Sequence, residues 1–167
     1  MPPLQSIRIA GFKSIRDQTV ELRNLNVLIG ANGSGKSNFI AAFRFLHDIV
    51  HREMQVAVAK SRGANRLLHR GIKVTREISF DLRFVHNAYR ATLTASSGDS
   101  LFFSSEVAIF HRGMIPGEHP WNLGTGHLES KLVDAVDRGG SIPRYVRDAI
   151  LGWKVYHFHD TSSSATI

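Results

Sequence analysis

The sequence predicts an α/β architecture with a mixed sheet, and three observations carry that prediction. An apolar run, LNVLI at residues 25–29, leads directly into the glycine-rich stretch GANGSGKS at residues 30–37. Apolar side chains then recur at helical spacing as Phe39, Phe43, Leu46 and Val50. From residue 76 the apolar period changes to two, as expected of an antiparallel β-meander added to a strand, turn and helix.

Taken in order, SIRIAGF alternates Ile7, Ile9 and Gly11 against Arg8, Ala10 and Phe12, the pattern of a half-buried strand, and QTVELRN repeats it with Val20 and Leu22. LNVLI is a continuous apolar run and reads as a strand buried on both faces in the middle of a sheet. One long amphipathic helix is expected from Ser37 to about Val58, ended by KSRGANR around Gly63. The meander follows: Ile78, Phe80, Leu82 and Phe84, then Tyr89, Ala91 and Leu93, then Phe103, Ser105, Val107 and Ile109, with turns at HNA and SSGDS. Residues 112–126 carry Gly113, Pro116, Gly117, Pro120, Gly124 and Gly126, and this density of breakers reads as a loop. Two short helices are expected in LESKLVDAVD and PRYVRDAILG, the second with Pro143 in its first turn and Gly152 at its end. WKVYHF reads as a last strand and HDTSSSATI as a polar tail.

The pattern GxxxxGK[ST] is met by Gly30, Gly35, Lys36 and Ser37, placed between an apolar strand and a helix as a phosphate-binding loop requires. Gly30, Gly33 and Gly35 let the backbone turn without a Cβ in the way. The N–H groups from Asn32 through Ser34 to Ser37 can then converge on a β-phosphate at the helix N-terminus. Lys36 supplies charge to the β- and γ-phosphates, and the Ser37 hydroxyl completes the shell of a Mg²⁺ ion. The expected ligands are ATP and Mg²⁺, on a loop formed by residues 30–38, Ala31 and Asn38 included.

The stretch IRIAGFKSIRDQTVELRNLNVLIGANGSGKSNFIAAF resembles the amino-terminal lobe of RecF/SMC-type ATPases, the ABC-ATPase branch that includes OLD and AAA-21 proteins. GTGHLESKL and WKVYHFHDTS extend the resemblance more weakly. The resemblance implies a P-loop NTPase lobe. It also implies a basic residue of GFKS near the nucleotide, which makes Lys13 a candidate phosphate or adenine-side contact with Ser14 beside it. It implies one partial ATPase domain over 1–167, made of 1–62 (strands, loop and helix), 76–112 (meander) and 127–167 (short helices, strand and tail). Its expected partners are a carboxy-terminal ATPase half or a second head in a homodimer, with DNA as a further one. The expected setting is DNA metabolism or anti-phage defence.

Hydrolysis needs more than a cradle: an Asp after a buried apolar strand to hold Mg²⁺ and an adjacent Glu to orient water. No four apolar residues followed by Asp-Glu occur here, and no LSxGE-like signature occurs either. Asp81, inside an alternating strand, reads as solvent-facing. Asp160, after YHFH, stands where strand ends carry chemistry, but the Gln that the resemblance implies near it is absent. The chain therefore reads as the nucleotide-binding half of an ATPase that turns over poorly by itself, or as a non-catalytic module completed by a separate carboxy-terminal partner. A small P-loop kinase fits less well, because no Arg-rich lid is present.

Twenty-one Lys and Arg against 14 Asp and Glu give a formal charge of +7, which favours phosphate-bearing partners, although much of this charge is spread singly. The absence of cysteine excludes disulfides and thiolate metal sites and fits a reducing cytoplasm. No membrane span or signal peptide is legible. His157 with His159, and His47 with His51, read as surface pairs rather than metal ligands, and Trp121 and Trp153 read as core or loop anchors.

Overall fold

Alternation along LQSIRIAGF and IRDQTVE produces two antiparallel strands, β1 (Leu4–Phe12) and β2 (Ile15–Glu21), joined by a tight turn at Lys13 and Ser14. The computed structural model describes residues 3–111 and 117–154. Gly11 is indispensable to this corner. It sits at φ +74°, and a Cβ there would lie 2.1 Å from the Glu77 carbonyl oxygen.

The meander supplies β3 (Glu77–Phe84), β4 (Asn87–Ala95) and β5 (Leu101–His111), and a further strand, β6 (Glu118–Gly124), pairs with β5. This last strand lies in the stretch expected to be a loop. Its breakers, Pro120 and Gly124, stand on the sheet edge, where a missing donor costs no ladder bond. The six strands run in the order β2-β1-β3-β4-β5-β6, and every pairing among the described residues is antiparallel, so the sheet is not mixed.

The helix after the glycine loop is shorter than its periodicity suggests. It spans α1 (Lys36–Val50), the chain breaks at His51 to Glu53 with Arg52 at φ +61°, and α2 (Met54–Lys60) follows. The Glu129 carboxylate explains the restart, accepting the N–H groups of Met54 at 2.9 Å and Gln55 at 3.0 Å. A short α3 (Ala64–Leu67), and α4 (Leu132–Asp137) and α5 (Ser141–Leu151), complete the helices, with Gly152 ending α5 as expected.

Ala42, Phe45, Leu46 and Ile49 of α1 pack on Ile7, Ile9 and Phe12, with the Phe12 ring 5.7 Å from Phe45 and 6.0 Å from Phe80. Helix α5 packs against α1 and over β4 and β5. Along the polar face runs a row of ion pairs: Arg8 with Asp17 at 2.7 Å, Arg90 with Asp81 at 3.1 Å, and Arg90 with Glu118 at 2.8 Å. Asp81 is thus tied into this row and partly shielded rather than freely solvated. One apolar face and one polar face is the arrangement an antiparallel sheet tolerates.

Residues 25–29 do not form the expected central strand. The chain leaves β2 at Glu21 and runs on unpaired, with Leu25 81%, Val27 71% and Ile29 90% exposed. A strand buried on both faces needs parallel neighbours and cover from both sides. Strand β1 is already flanked by β2 and β3, and among the described residues no strand pairs with this run.

Candidate functional site

The glycine loop lies between that exposed run and the first turn of α1. Gly33 and Gly35 take φ +84° and +98°, the left-handed conformation that favours glycine, and Ser34 N–H closes a turn onto the Ala31 carbonyl at 3.2 Å. A Cβ on Gly30 would come within 2.8 Å of Ser34 Oγ, so the inside of the loop has no room for a side chain there. Ala31, Asn32, Gly33 and Ser34 are exposed on the rim.

Lys36 turns back into this loop. Its ammonium donates to the Gly30 carbonyl at 2.5 Å, the Ala31 carbonyl at 2.8 Å and Ser34 Oγ at 3.3 Å. The first intrahelical bond of α1 runs from Phe39 N–H to the Gly35 carbonyl at 2.9 Å, and no side chain caps the helix. The preceding N–H groups of Lys36, Ser37 and Asn38 therefore face outward with the positive end of the helix dipole. The Ser37 hydroxyl is exposed and makes no hydrogen bond among the described residues. This donor set fits a triphosphate: a gathered ammonium, uncapped amides, and a hydroxyl open to a cation.

The GFKS corner divides at its two central residues. Ser14 reaches the loop: Asn38 Nδ2 donates to its Oγ at 2.7 Å, and that oxygen would lie 3.2 Å from a Cβ on Gly35. Ser14 also lines a groove of about 530 Å³ with Arg16, Leu28, Lys36 and Phe39, within the usual range of roughly 300–1,000 Å³ for small-molecule clefts. Lys13 goes the other way, its ammonium 5.7 Å from the Phe12 ring centroid in a separate cleft beside Arg66 and Arg70.

Arg16 is a groove residue that sequence reasoning passed over. The neighbouring carboxylate, Asp17, is engaged by Arg8 through two hydrogen bonds of 2.7 and 2.8 Å, which hold it below the usual carboxylate range. Arg16 thus adds positive charge to the groove next to an acid already paired. The signal in the sequence was its position two residues after Ser14, at the start of β2.

Of the other residues weighed, His47 on α1 and His51 just past its end have tilted rings 4.4 Å apart, and no group of three or more His, Asp or Glu able to hold a metal occurs among the described residues. Trp153 packs edge-on against Phe43 at 5.1 Å, and Trp121 packs against the core, so both act as anchors. His157, His159, Asp160 and most of the expected last strand lie outside the described residues. Among the described residues no helix is long and apolar enough to cross a membrane.

The AAA ATPase domain family matches residues 3–100, more than half of the chain. Among curated proteins, the structural maintenance of chromosomes protein 3 of Arabidopsis thaliana is 37% identical over 86 residues, which is 47% of this chain and 7% of that protein. The urease accessory protein 2 of Cryptococcus neoformans var. grubii is 37% identical over 79 residues, 46% of this chain and 6% of that protein. The chromosome segregation protein sudA of Emericella nidulans is 54% identical over 46 residues, 26% of this chain and 4% of that protein. The chain spans under a tenth of the length of these relatives. The glycine loop at residues 30–37, the helix it leads into and the family match together place this chain in the AAA ATPase domain family, with an SMC-like sequence.

Proposed function

We propose that this chain is the ATP-binding amino-terminal part of an SMC-like ATPase that acts in DNA metabolism or anti-phage defence. The observation that carries the reading is the glycine loop, with Lys36 drawn inside it at the uncapped start of α1. With nucleotide bound, Lys36 would exchange its loop carbonyls for phosphate oxygens, the amides of Gly33 and of Gly35 to Asn38 would line the phosphates, and the Ser37 hydroxyl would hold Mg²⁺. Bound Mg²⁺ would supply charge neutralisation between the β- and γ-phosphates. Ser14 holds the helix side of the loop through Asn38, and Arg16 faces the same groove.

The carboxylate pair for turnover and the signature motif come from a carboxy-terminal half. The exposed run at residues 25–29 supports this, because it has the composition of a central strand and no strand beside it among the described residues. In the complete protein two heads would enclose ATP between them. The second reading, a nucleotide-binding module completed by a separately encoded partner, rests on the same unpaired run.

Titration of the chain with a fluorescent ATP analogue and Mg²⁺ tests the core of this reading. Lys36→Ala should weaken binding at least about tenfold, since it removes a charge-assisted contact worth about 1.5–3 kcal/mol. Equal affinity in the two proteins would refute the site, and steady Lys36-dependent turnover at ordinary enzyme rates would refute the need for a second half.

A further inference from the structure

We infer that His47 and His51, at the end of α1, form a two-imidazole site for a divalent transition ion, Cu²⁺ or Ni²⁺. They stand four positions apart, the spacing that sets two side chains on one face of a helix, one turn from each other. The turn between them is intact, because His51 N–H donates to the His47 carbonyl at 3.0 Å. Their ring centroids lie 4.4 Å apart, with the planes tilted by 50°. Imidazole nitrogens bind such ions at about 2.0–2.1 Å. Two ring centroids then lie about 4.5 Å apart when the nitrogens meet the metal at a right angle and about 5.2 Å apart at a tetrahedral angle. The observed spacing matches the right angle, which is the geometry of tetragonal Cu²⁺ and Ni²⁺ rather than of tetrahedral Zn²⁺.

Neither ring is engaged elsewhere. Among the described residues neither makes a hydrogen bond or an ion pair, whereas the rings of His69 and His127 each meet a backbone carbonyl. The backbone that carries the pair is fixed, since Leu46, Ile49 and Val50 around it are buried in the core. His47 is half-buried and borders an open cavity of about 330 Å³ with Phe43, Arg44, Asp48 and Trp153. That space, with His51 exposed beside it, accommodates the water ligands that complete the coordination of a metal held by two imidazoles.

The local field favours a dication. The rings stand at the C-terminal end of a 15-residue helix, where the carbonyl ends of the backbone dipoles gather negative charge. Asp48 lies within electrostatic reach of both rings and of Glu53, and neither carboxylate forms an ion pair among the described residues. Of the cations nearby, Lys60 shares that reach, Arg44 borders the cavity, and Arg52 is engaged by Asp134 at 3.0 Å. The pair is separate from the nucleotide loop, since about 15 Å of helix lies between Ser37 and His47. The two cation sites also differ in chemistry, oxygen ligands suiting Mg²⁺ and imidazole nitrogens suiting the transition ions. An ion on both rings would clamp the last turn of α1, just before the chain breaks and restarts as α2.

The test is calorimetric titration of the 167-residue chain with NiCl₂, and separately with CuCl₂ and CoCl₂, in a buffer that does not coordinate metal. Cu²⁺ should bind more tightly than Ni²⁺, and Ni²⁺ more tightly than Co²⁺. His47→Ala and His51→Ala should each weaken the site at least about tenfold, and the double variant should lose little more than either, because losing one ring already breaks the chelate. His157→Ala with His159→Ala, the other close pair in the sequence, should leave the site unchanged. Without metal the His47 and His51 variants should melt with the parent, since their rings make no bonds, and Ni²⁺ should raise Tm in the parent alone. Electron paramagnetic resonance of bound Cu²⁺ should show coupling to two nitrogens in the parent and to one in each single variant. Unchanged affinity in both single variants, loss of the site in the His157 and His159 variant, tighter binding of Zn²⁺ than of Cu²⁺, or displacement of Ni²⁺ by millimolar Mg²⁺ would each overturn the proposal. Lys36→Ala should bind Ni²⁺ as the parent does, so failure of the nucleotide site leaves the metal site standing.

Discussion

At the scale of single residues, the most constrained group outside the loop is Glu106, fully buried on β5. Its Oε1 accepts Tyr89 Oη at 2.7 Å and Ser130 Oγ at 2.5 Å, and its Oε2 accepts Lys131 N–H at 2.9 Å. The ring of His127 stacks on Phe103 with Nδ1 2.8 Å from the Glu129 carbonyl, so Nδ1 carries the proton and Nε2 faces Glu106 Oε2 at 3.6 Å. At that distance the two atoms are not bonded, and His127 Nε2 has no hydrogen-bond partner among the described residues. Burial pushes the Glu106 carboxyl up against the lowering effect of its hydrogen bonds. A raised folded pKa gives stability that is fully present below the unfolded value of about 4.5 and is lost as pH rises through the folded value. Glu106→Gln should therefore cost about 1–3 kcal/mol at mildly acidic pH, since its amide cannot accept Lys131 N–H, and should draw level with the parent as pH rises. Urea denaturation at several pH values measures this, and a constant difference would exclude a raised Glu106 carboxyl. The loop residues 30–37 were legible in the sequence because their chemistry is contiguous. Glu106 was not, because a bulge at Ser104 shifts the register between Thr92 and Leu93 and turns even-numbered rather than odd-numbered residues of β5 inward.

At the scale of elements, periodicity located β1 to β5 and α5 well and misjudged what ends a helix. The apolar rhythm from Phe39 to Val58 is compatible with one helix, and nothing local forbids it. The break before α2 is instead written 75 residues beyond Met54, where Glu129 supplies the carboxylate that starts α2. The same segment fixes Gln55, whose Nε2 donates to the Leu101 carbonyl at 2.8 Å and the Leu128 carbonyl at 2.9 Å. The loop before α4 thus ties α2, and through it the end of the P-loop helix, to the start of β5. Glu129→Ala should cost about 1–2 kcal/mol, the value of a lost N-terminal cap with its charge. Hydrogen exchange should show faster opening at Met54 and Gln55 with α1 protected as before. Equal exchange in both proteins would mean that packing of Met54 and Val58, rather than the cap, holds α2. β6 escaped the sequence because edge strands accept Pro and Gly that inner strands refuse.

At the scale of the whole molecule, the feature that decides behaviour is the run at residues 25–29. Its side chains were legible as core and are so in composition, but the core they belong to is not built from the described residues. Leu28 also borders a groove of about 660 Å³ with Ile40, Phe43 and Trp153, so the apolar surface continues from the run onto α1 and the end of α5. Burying a side chain of this size is worth about 1.5–3 kcal/mol, so the exposed Leu25, Val27, Leu28 and Ile29 together offer several kcal/mol to any surface that covers them. In isolation the chain should therefore self-associate as its concentration rises, and light scattering on a sizing column should show it. Val27→Lys with Ile29→Lys places two charges on one side of an extended run and should return the chain to a monomer. Because these side chains touch no part of the core, Tm of the double variant should change by less than about 0.5 kcal/mol in equivalent stability. ATP binding should persist, since Gly30 to Ser37 keep their contacts, whereas any carboxy-terminal half that completes the sheet should no longer bind the variant. A parent that stays monomeric at high concentration, or a double variant that unfolds, would mean that residues 25–29 are already sheltered within the chain and that the lobe needs no second half to complete its sheet.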